Sequence, residues 1–270
     1  MRLAVPFVGV ALVAGASAVA MAACGSRYGE LEAPPDARQE DSAADVATDA
    51  PFEAALPFCA GHAGAALCAD FDDDRTATLP FARIVGTVAV DRGLSLSPPA
   101  SARVQAMAST PAYLEGAPAG AGLGALQRST FDLFLPDGIP KLDAVFWSVT
   151  EKTTGCELKL RSLGSSAQLI VVSPPGLDGG DSIDTFPLSA FPVPGRWSRV
   201  SMLLEATGMD ASAVVTVGVT VDGKAALDPR LTRCRALAPN PTFQAGLVET
   251  LGAATGPLEA HYDNVLFEAR

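Results

Sequence analysis

Between residues 214 and 221 the chain reads Val-Val-Thr-Val-Gly-Val-Thr-Val, with valine at every odd position and Thr, Gly and Thr among the even ones. A period of two puts the odd set on one buried face and the even set on the opposite, wetter face of a strand. Asp222-Gly223 follows, the strongest short hairpin signal, and Ala225-Ala226-Leu227 can return as the partner strand. Residues 129–135, 143–150, 156–161, 167–172, 197–205, 242–249 and 260–268 also read as strands, separated by Pro- and Gly-rich turns. No twelve-residue window in this part of the chain combines a helical apolar stripe with caps, which disfavours α/β folds. Many strands with few helices predict an all-β sandwich or jelly roll of two antiparallel sheets. Residues 58–270 are long enough for one sizeable core, and they show no internal repeat.

The first residues break this pattern. Met1-Arg2 supplies one positive charge, residues 3–23 are almost wholly small or apolar, and the run ends Ala20-Met21-Ala22-Ala23 before Cys24. A charged start, an apolar centre and a small-residue cleavage site make a secretory signal. The Cys directly after the cleavage site, followed by Gly25 and Ser26, resembles the lipobox of bacterial lipoproteins, with Met21 standing where that family prefers Leu. The resemblance implies that residues 1–23 are removed and that Cys24 is lipidated. It further implies sorting to the outer membrane, because Gly25 replaces the Asp that favours inner-membrane retention in enterobacteria. Several acyl chains, at about 0.8 kcal/mol per buried methylene, make such an anchor lasting. An uncleaved spanning helix is the competing reading, since roughly twenty apolar residues can cross a bilayer. Gly15, Ser17 and the Ala-rich end read better as a cleavage region.

Composition changes again behind Cys24. Residues 25–57 hold eight acidic residues against Arg27 and Arg38, with Pro34, Pro35, Pro51 and Pro57. Such a stretch buries too little apolar surface to offset its chain entropy, so residues 24–57 are expected to be a lipidated Cys and a disordered acidic tether. The whole chain carries a net charge of −11, which argues against nucleic acid and anionic lipid head groups as partners.

Several short motifs occur in order along the domain: Phe58-Cys59, Cys68-Ala69-Asp70-Phe71-Asp72, Gly195-Arg196-Trp197-Ser198-Arg199-Val200, Val219-Thr220-Val221-Asp222-Gly223 and Tyr262-Asp263-Asn264-Val265. Together they resemble the concanavalin A-like jelly-roll superfamily, which includes laminin-G-like domains and carbohydrate-binding modules, over nearly the whole of residues 58–270. That superfamily contains lectins, glycan-binding modules, glycosidases and structural domains, so the fold alone does not choose among them. Many of its binding modules hold a calcium between an acidic first strand and an Asp on the last strand. The resemblance implies such a structural calcium at Asp70, Asp72 and Asp263. Asp70 and Asp72 share strand parity, and Asp263 shares it with Val265 and Phe267, which would aim its carboxylate inward. In the alternative, Asp263 accepts backbone N–H bonds or pairs with an Arg, and residues 72–74 form a solvated acidic turn.

Apart from Cys24 there are four cysteines, an even number that suits an oxidising compartment. Three pairings are possible; Cys59 and Cys68 enclose a short Gly/Ala-rich loop and form the natural local pair, leaving Cys156 to join Cys234. Zinc is disfavoured, because no Cys-x-x-Cys knuckle occurs. Catalytic constellations are scarce. Retaining glycosidases need two carboxyl groups about 5 Å apart, which Glu-x-Asp-x-Glu on one strand would supply, and that pattern does not occur. The two histidines, His62 inside the predicted Cys59–Cys68 loop and His261 beside the last strand, adjoin no nucleophile elbow and read as surface or turn residues. Residues 116–124 lack the Lys and Ser/Thr of a phosphate loop, and residues 178–184 lack EF-hand spacing. Trp147 has core parity with Val145 and Val149, Trp197 reads as core or edge, and Tyr113, in an expected loop, is the better exposed aromatic. These readings favour a non-catalytic binding domain for glycan or cell-envelope polymer, anchored to the membrane by lipid. The alternatives are a structural or interaction lipoprotein without a small ligand and, behind it, a divergent glycan hydrolase or lyase.

Overall fold

The structure, a computed structural model, describes residues 57–269 apart from the segments 73–79, 108–109, 118–125, 137–142, 152–154, 164–165, 174–181, 208–213, 236–240 and 252–256. The expected signal, Cys24 and acidic tether lie outside the described residues. A short 3₁₀ turn (Phe58–His62) precedes fifteen strands: β1 (Leu67–Ala69), β2 (Arg83–Val85), β3 (Thr87–Asp91), β4 (Ser101–Ala106), β5 (Ala112–Gly116), β6 (Leu126–Phe134), β7 (Asp143–Glu151), β8 (Cys156–Leu163), β9 (Ser166–Ser173), β10 (Ser182–Pro187), β11 (Trp197–Thr207), β12 (Val214–Val221), β13 (Lys224–Arg235), β14 (Thr242–Leu251) and β15 (Leu258–Ala269). They form two antiparallel sheets. One runs β13-β12-β11-β6-β15-β4-β3, with β1 added on β15; the other runs β10-β9-β8-β7-β14-β5-β2. The jelly-roll sandwich expected from strand periodicity is thus the observed architecture.

Each predicted strand is present, most within three residues of the expected bounds, while the return strand after the Asp222-Gly223 hairpin runs well past Leu227 to Arg235. Both turn residues have positive φ, 51° and 74°, the conformation that matches the twist of paired strands. The Asp222 carboxylate also accepts from the Arg199 backbone N–H at 2.9 Å and from the Arg196 guanidinium at 2.8 Å, tying the turn to the start of β11. Strands β1 to β5 and β10 escape periodicity. β1, β2 and β3 are three to five residues long, β4 offers mainly Ala and one Val to the core, and β5 lies between Pro111 and Gly116.

The core lies between the sheets, where Phe131, Met202, Val217 and Tyr262 of the eight-stranded sheet meet Trp147, Leu158, Leu169 and Phe243 of the other. Burial of each such side chain stabilises the fold by about 1.5–3 kcal/mol. Tyr262 spans the sandwich: its hydroxyl lies 2.8 Å from the Phe146 carbonyl and 3.2 Å from that of Gly246. Those carbonyls sit where the β7 and β14 ladders shift register, so the phenol satisfies acceptors that the bulges leave. Full burial pushes the phenol far above its ordinary pKa. Gly246 has φ +143°, and a Cβ there would stand 2.6 Å from the Ala112 carbonyl oxygen and from the Tyr113 Cα. Only glycine lets β14 approach β5 this closely.

Two disulfides join Cys59 to Cys68 and Cys156 to Cys234, the pairing read from the spacing, with Cα–Cα distances of 5.7 and 5.6 Å. The first closes the loop at the N-terminal end of the domain. The second links β8 in one sheet to β13 in the other. Two bridges fit an exported protein. Among the described residues no helix is long and apolar enough to cross a membrane.

Candidate functional site

A sandwich has two outer faces. On the eight-stranded sheet, the outer polar groups are turned into internal structure. Asp132 on β6 is 1% exposed; Arg199 on β11 meets it with two bonds, 2.8 and 2.7 Å, and the Asn264 amide donates to it at 2.8 Å. The guanidinium carbon lies 6.0 Å from the Phe58 ring centroid, so the N-terminal turn sits against this pair.

Asp263 belongs to the same face, which corrects the parity argument. The β15–β6 register shifts between Asp263 and Leu266, and Asn264 has φ 50°. One extra residue reverses the alternation. Tyr262 therefore points into the sandwich together with Val265 and Phe267, and Asp263 points outward. It is buried all the same, because residues 94–97 fold over it. Its carboxylate accepts from the Leu96 and Ser97 backbone N–H groups at 3.0 and 2.9 Å, from the Ser97 hydroxyl at 3.1 Å and from the Asn264 N–H at 2.8 Å. Burial raises its pKa to about 6, against the lowering effect of these bonds.

Asp70 accepts from the Cys59 N–H at 3.1 Å and from the Asp72 N–H at 3.5 Å. The described residues contain no group of three His, Cys, Asp or Glu side chains arranged to hold a metal ion, so the arrangement lends no support to calcium at Asp70, Asp72 and Asp263. His261 was read as a surface or turn residue, yet it lies within β15 and is 2% exposed. Its Nε2 is 2.8 Å from Glu259, and its ring stands edge-on to Phe134 at 5.9 Å. Burial works against ionising Glu259, but hydrogen bonds from Gln105 and His261 hold its pKa below the usual carboxylate value. Trp197 packs on Phe134 at 5.6 Å, and Trp147 is core. The other histidine, His62, lines a shallow cleft of about 400 Å³ with Arg128 and Glu268. Within 178–184, residues 182–184 begin β10; residues 178–181 and 118–124 lie outside the described residues.

The outer face of the seven-stranded sheet is different. Leu158 and Leu160 point inward on β8, so Glu157, Lys159 and Arg161 point outward; on β5, Leu114 inward leaves Tyr113 and Glu115 outward. Tyr113 is therefore half-buried on a strand and not in a loop. Register aligns a row straight across the sheet: Arg83, Glu115, Gln244, Ser148, Lys159, Ile170 and Thr185. Seven strands at 4.7–4.9 Å spacing make this row about 29 Å long.

Hydrogen bonds hold the row in place. The buried Ser148 hydroxyl donates to the Gln244 carbonyl at 2.8 Å, and the Gln244 amide donates to Glu115 at 2.9 Å. Lys159, its side chain 15% exposed, bonds Glu249 at 2.5 Å and Glu157 at 3.1 Å. Burial works to lower the pKa of Lys159, but the bonds and charges of the two glutamates outweigh it and keep the ammonium protonated. Arg161 makes a two-pronged pair with Asp143 at 2.6 and 2.5 Å.

Such an array offers oriented donors and acceptors to hydroxyl groups. Lys159 is held charged, and both histidines lie elsewhere. Sequence reasoning missed this row, although Cys156-Glu-Leu-Lys-Leu-Arg161 contained a legible signal: three charges on one face of a strand whose other face is apolar. Glu115 was lost with its strand.

No protein-family model and no curated protein matches the sequence. Solved structures match by shape. An endo-β-1,4-glucuronan lyase from the fungus Trichoderma reesei superimposes with a TM-score of 0.57 at 14% identity, over 76% of this chain and 96% of that one. A conserved carbohydrate esterase of the Shiga toxin-encoding bacteriophage phi24B gives 0.54 at 9% identity, over 76% and 98%. The binding domain of a botulinum neurotoxin of serotype D/C gives 0.52 at 8%, over 77% of this chain and 49% of that one. At these identities the likeness shows the shared jelly-roll fold.

Proposed function

We propose that the domain is a non-catalytic glycan-binding module that seats an extended saccharide across the outer face of its seven-stranded sheet. The cross-sheet row through Glu115, Gln244, Ser148 and Lys159 carries this reading. Side chains already oriented by their neighbours lose little freedom when a ligand binds, and their remaining donor and acceptor positions suit hydroxyl groups. That two proteins of similar shape are a glucuronan lyase and a carbohydrate esterase supports saccharide as the ligand class. A glycan array probed with the full chain tests the reading. Binding that Gln244→Ala weakens at least tenfold upholds it, failure to bind any glycan favours a structural or interaction role, and shortened saccharide products favour the enzyme.

The same proposal includes export and anchoring: cleavage before Cys24, lipidation of that thiol and residence in the outer membrane. The lipobox-like start and the two disulfides support it. Cys24→Ser is expected to release the protein or strand its precursor. Unchanged membrane fractionation of the variant, with no acyl group on the N-terminal peptide, rejects the anchor. Calcium at Asp70, Asp72 and Asp263 stays a proposal without support from the hydrogen bonds at those residues; identical melting curves in calcium and in chelator dismiss it.

A further inference from the structure

We infer that the seven-stranded face selects neutral saccharides and rejects polymers of uronic acids; this rests on the glycan-binding reading above. A polyuronate presents a carboxylate on every sugar, and its recognition needs cations whose charge is not already balanced by the protein's own carboxylates. Among the described residues three cations lie on this face, Arg83, Lys159 and Arg161, and four carboxylates accompany them, Glu115, Glu157, Glu249 and Asp143. Both central cations are already engaged. Lys159 is shared by Glu157 and Glu249, and Arg161 directs two of its N–H groups to Asp143. Only Arg83 has no ion pair among the described residues, and it stands on the edge strand β2.

A sugar carboxylate arriving at the centre of the row therefore meets Glu115, Glu157 and Glu249 before it meets an available positive charge. To reach Lys159 it must displace carboxylates that are held at hydrogen-bond distance in a half-buried site. Unfavourable charge placed against one ligand class is how a site discriminates. The net charge of −11 adds a long-range repulsion for polyanions. At the other end of the row the face turns apolar, with Ile170 and Val172 half-buried and Ile183 exposed on β9 and β10. Such a surface suits the C–H faces of neutral sugars and offers nothing to an anion.

The test compares the full chain's affinity for a neutral cello-oligosaccharide, a neutral xylo-oligosaccharide and an oligogalacturonate of equal length, at low and raised salt. A preference of at least tenfold for a neutral ligand is expected. The double variant E157Q/E249Q releases Lys159 from its charged partners while keeping side-chain size, and should gain about tenfold for the oligogalacturonate, most strongly at low salt. If the unaltered chain binds the uronate as well as or better than the neutral ligands, the inference fails and the glycan-binding reading stands. A neutral preference with no gain in the variant overturns the role given to the Lys159 partners. Binding of neither class overturns the glycan-binding reading and the inference together.

Discussion

The two outer faces of this sandwich are both rich in charged residues and use them in opposite ways. On the eight-stranded sheet, Asp132, Asp263, Asn264 and His261 are each less than 5% exposed and spend their hydrogen bonds on Arg199, on residues 96–97 and on Glu259. On the seven-stranded sheet, comparable groups lie in register in a row, braced by one another and, at Lys159, by Glu157 and Glu249 beside the row, 28% and 40% exposed. A buried polar group must be satisfied inside the protein, whereas a half-exposed one keeps capacity for a ligand. Charge content alone therefore does not mark a site; what covers the charge does.

The largest expected effect breaks the link between the two faces. Cys156–Cys234 is the bridge from one sheet to the other and closes a separation of 78 residues, so chain entropy assigns it about 4–5 kcal/mol; Cys59–Cys68, with a separation of 9, is assigned about 2.6 kcal/mol. Urea denaturation of the paired Cys→Ser variants should rank them in this order. Loss of the first should also weaken glycan binding, since Cys156 begins the strand that carries Lys159, whereas loss of the second should disturb only the Phe58 side.

Arg199→Ala sharpens the contrast. It leaves the buried Asp132 carboxylate with the Asn264 amide alone among these partners, a change worth about 3 kcal/mol. Its midpoint in urea should fall while glycan affinity of the folded protein holds. A loss of affinity without a loss of stability would reverse the roles assigned to the two faces.

Asp263 adds a pH dependence confined to the closed face. Its folded pKa, about 6, is raised above the ordinary carboxylate value, so its contribution is fully present below about pH 4 and is lost as pH rises through 6. About 2–3 kcal/mol of stability should disappear across that window, and Asp263→Asn should flatten the corresponding part of the pH profile of stability. Gln244→Ala on the open face has the smallest expected effect on stability, about 1–2 kcal/mol, because Glu115 returns to water and only the buried Ser148 hydroxyl loses its acceptor. Its effect should appear in ligand binding. A destabilisation as large as that of Arg199→Ala would mean that the row is structural.

Strand periodicity and turn residues by themselves determined the sandwich, the Asp222-Gly223 hairpin and the burial of Trp147, while cysteine spacing favoured Cys59–Cys68 with Cys156–Cys234 among three possible pairings and the fold decided it. These are local signals: a valine every second residue or an Asp-Gly pair acts through its immediate neighbours. The short strands β1 to β5 and β10 carried too few apolar residues to stand out, and with β5 went the placement of Tyr113 and Glu115. The direction of Asp263 was decided by one bulge near Asn264, which no alternation pattern announces, and its burial by a loop more than 160 residues away in sequence. The row across the seven-stranded sheet likewise exists only in three dimensions. Arg83, Glu115, Gln244, Ser148 and Lys159 come from five strands scattered over the chain, and the antiparallel register between those strands is what sets them side by side.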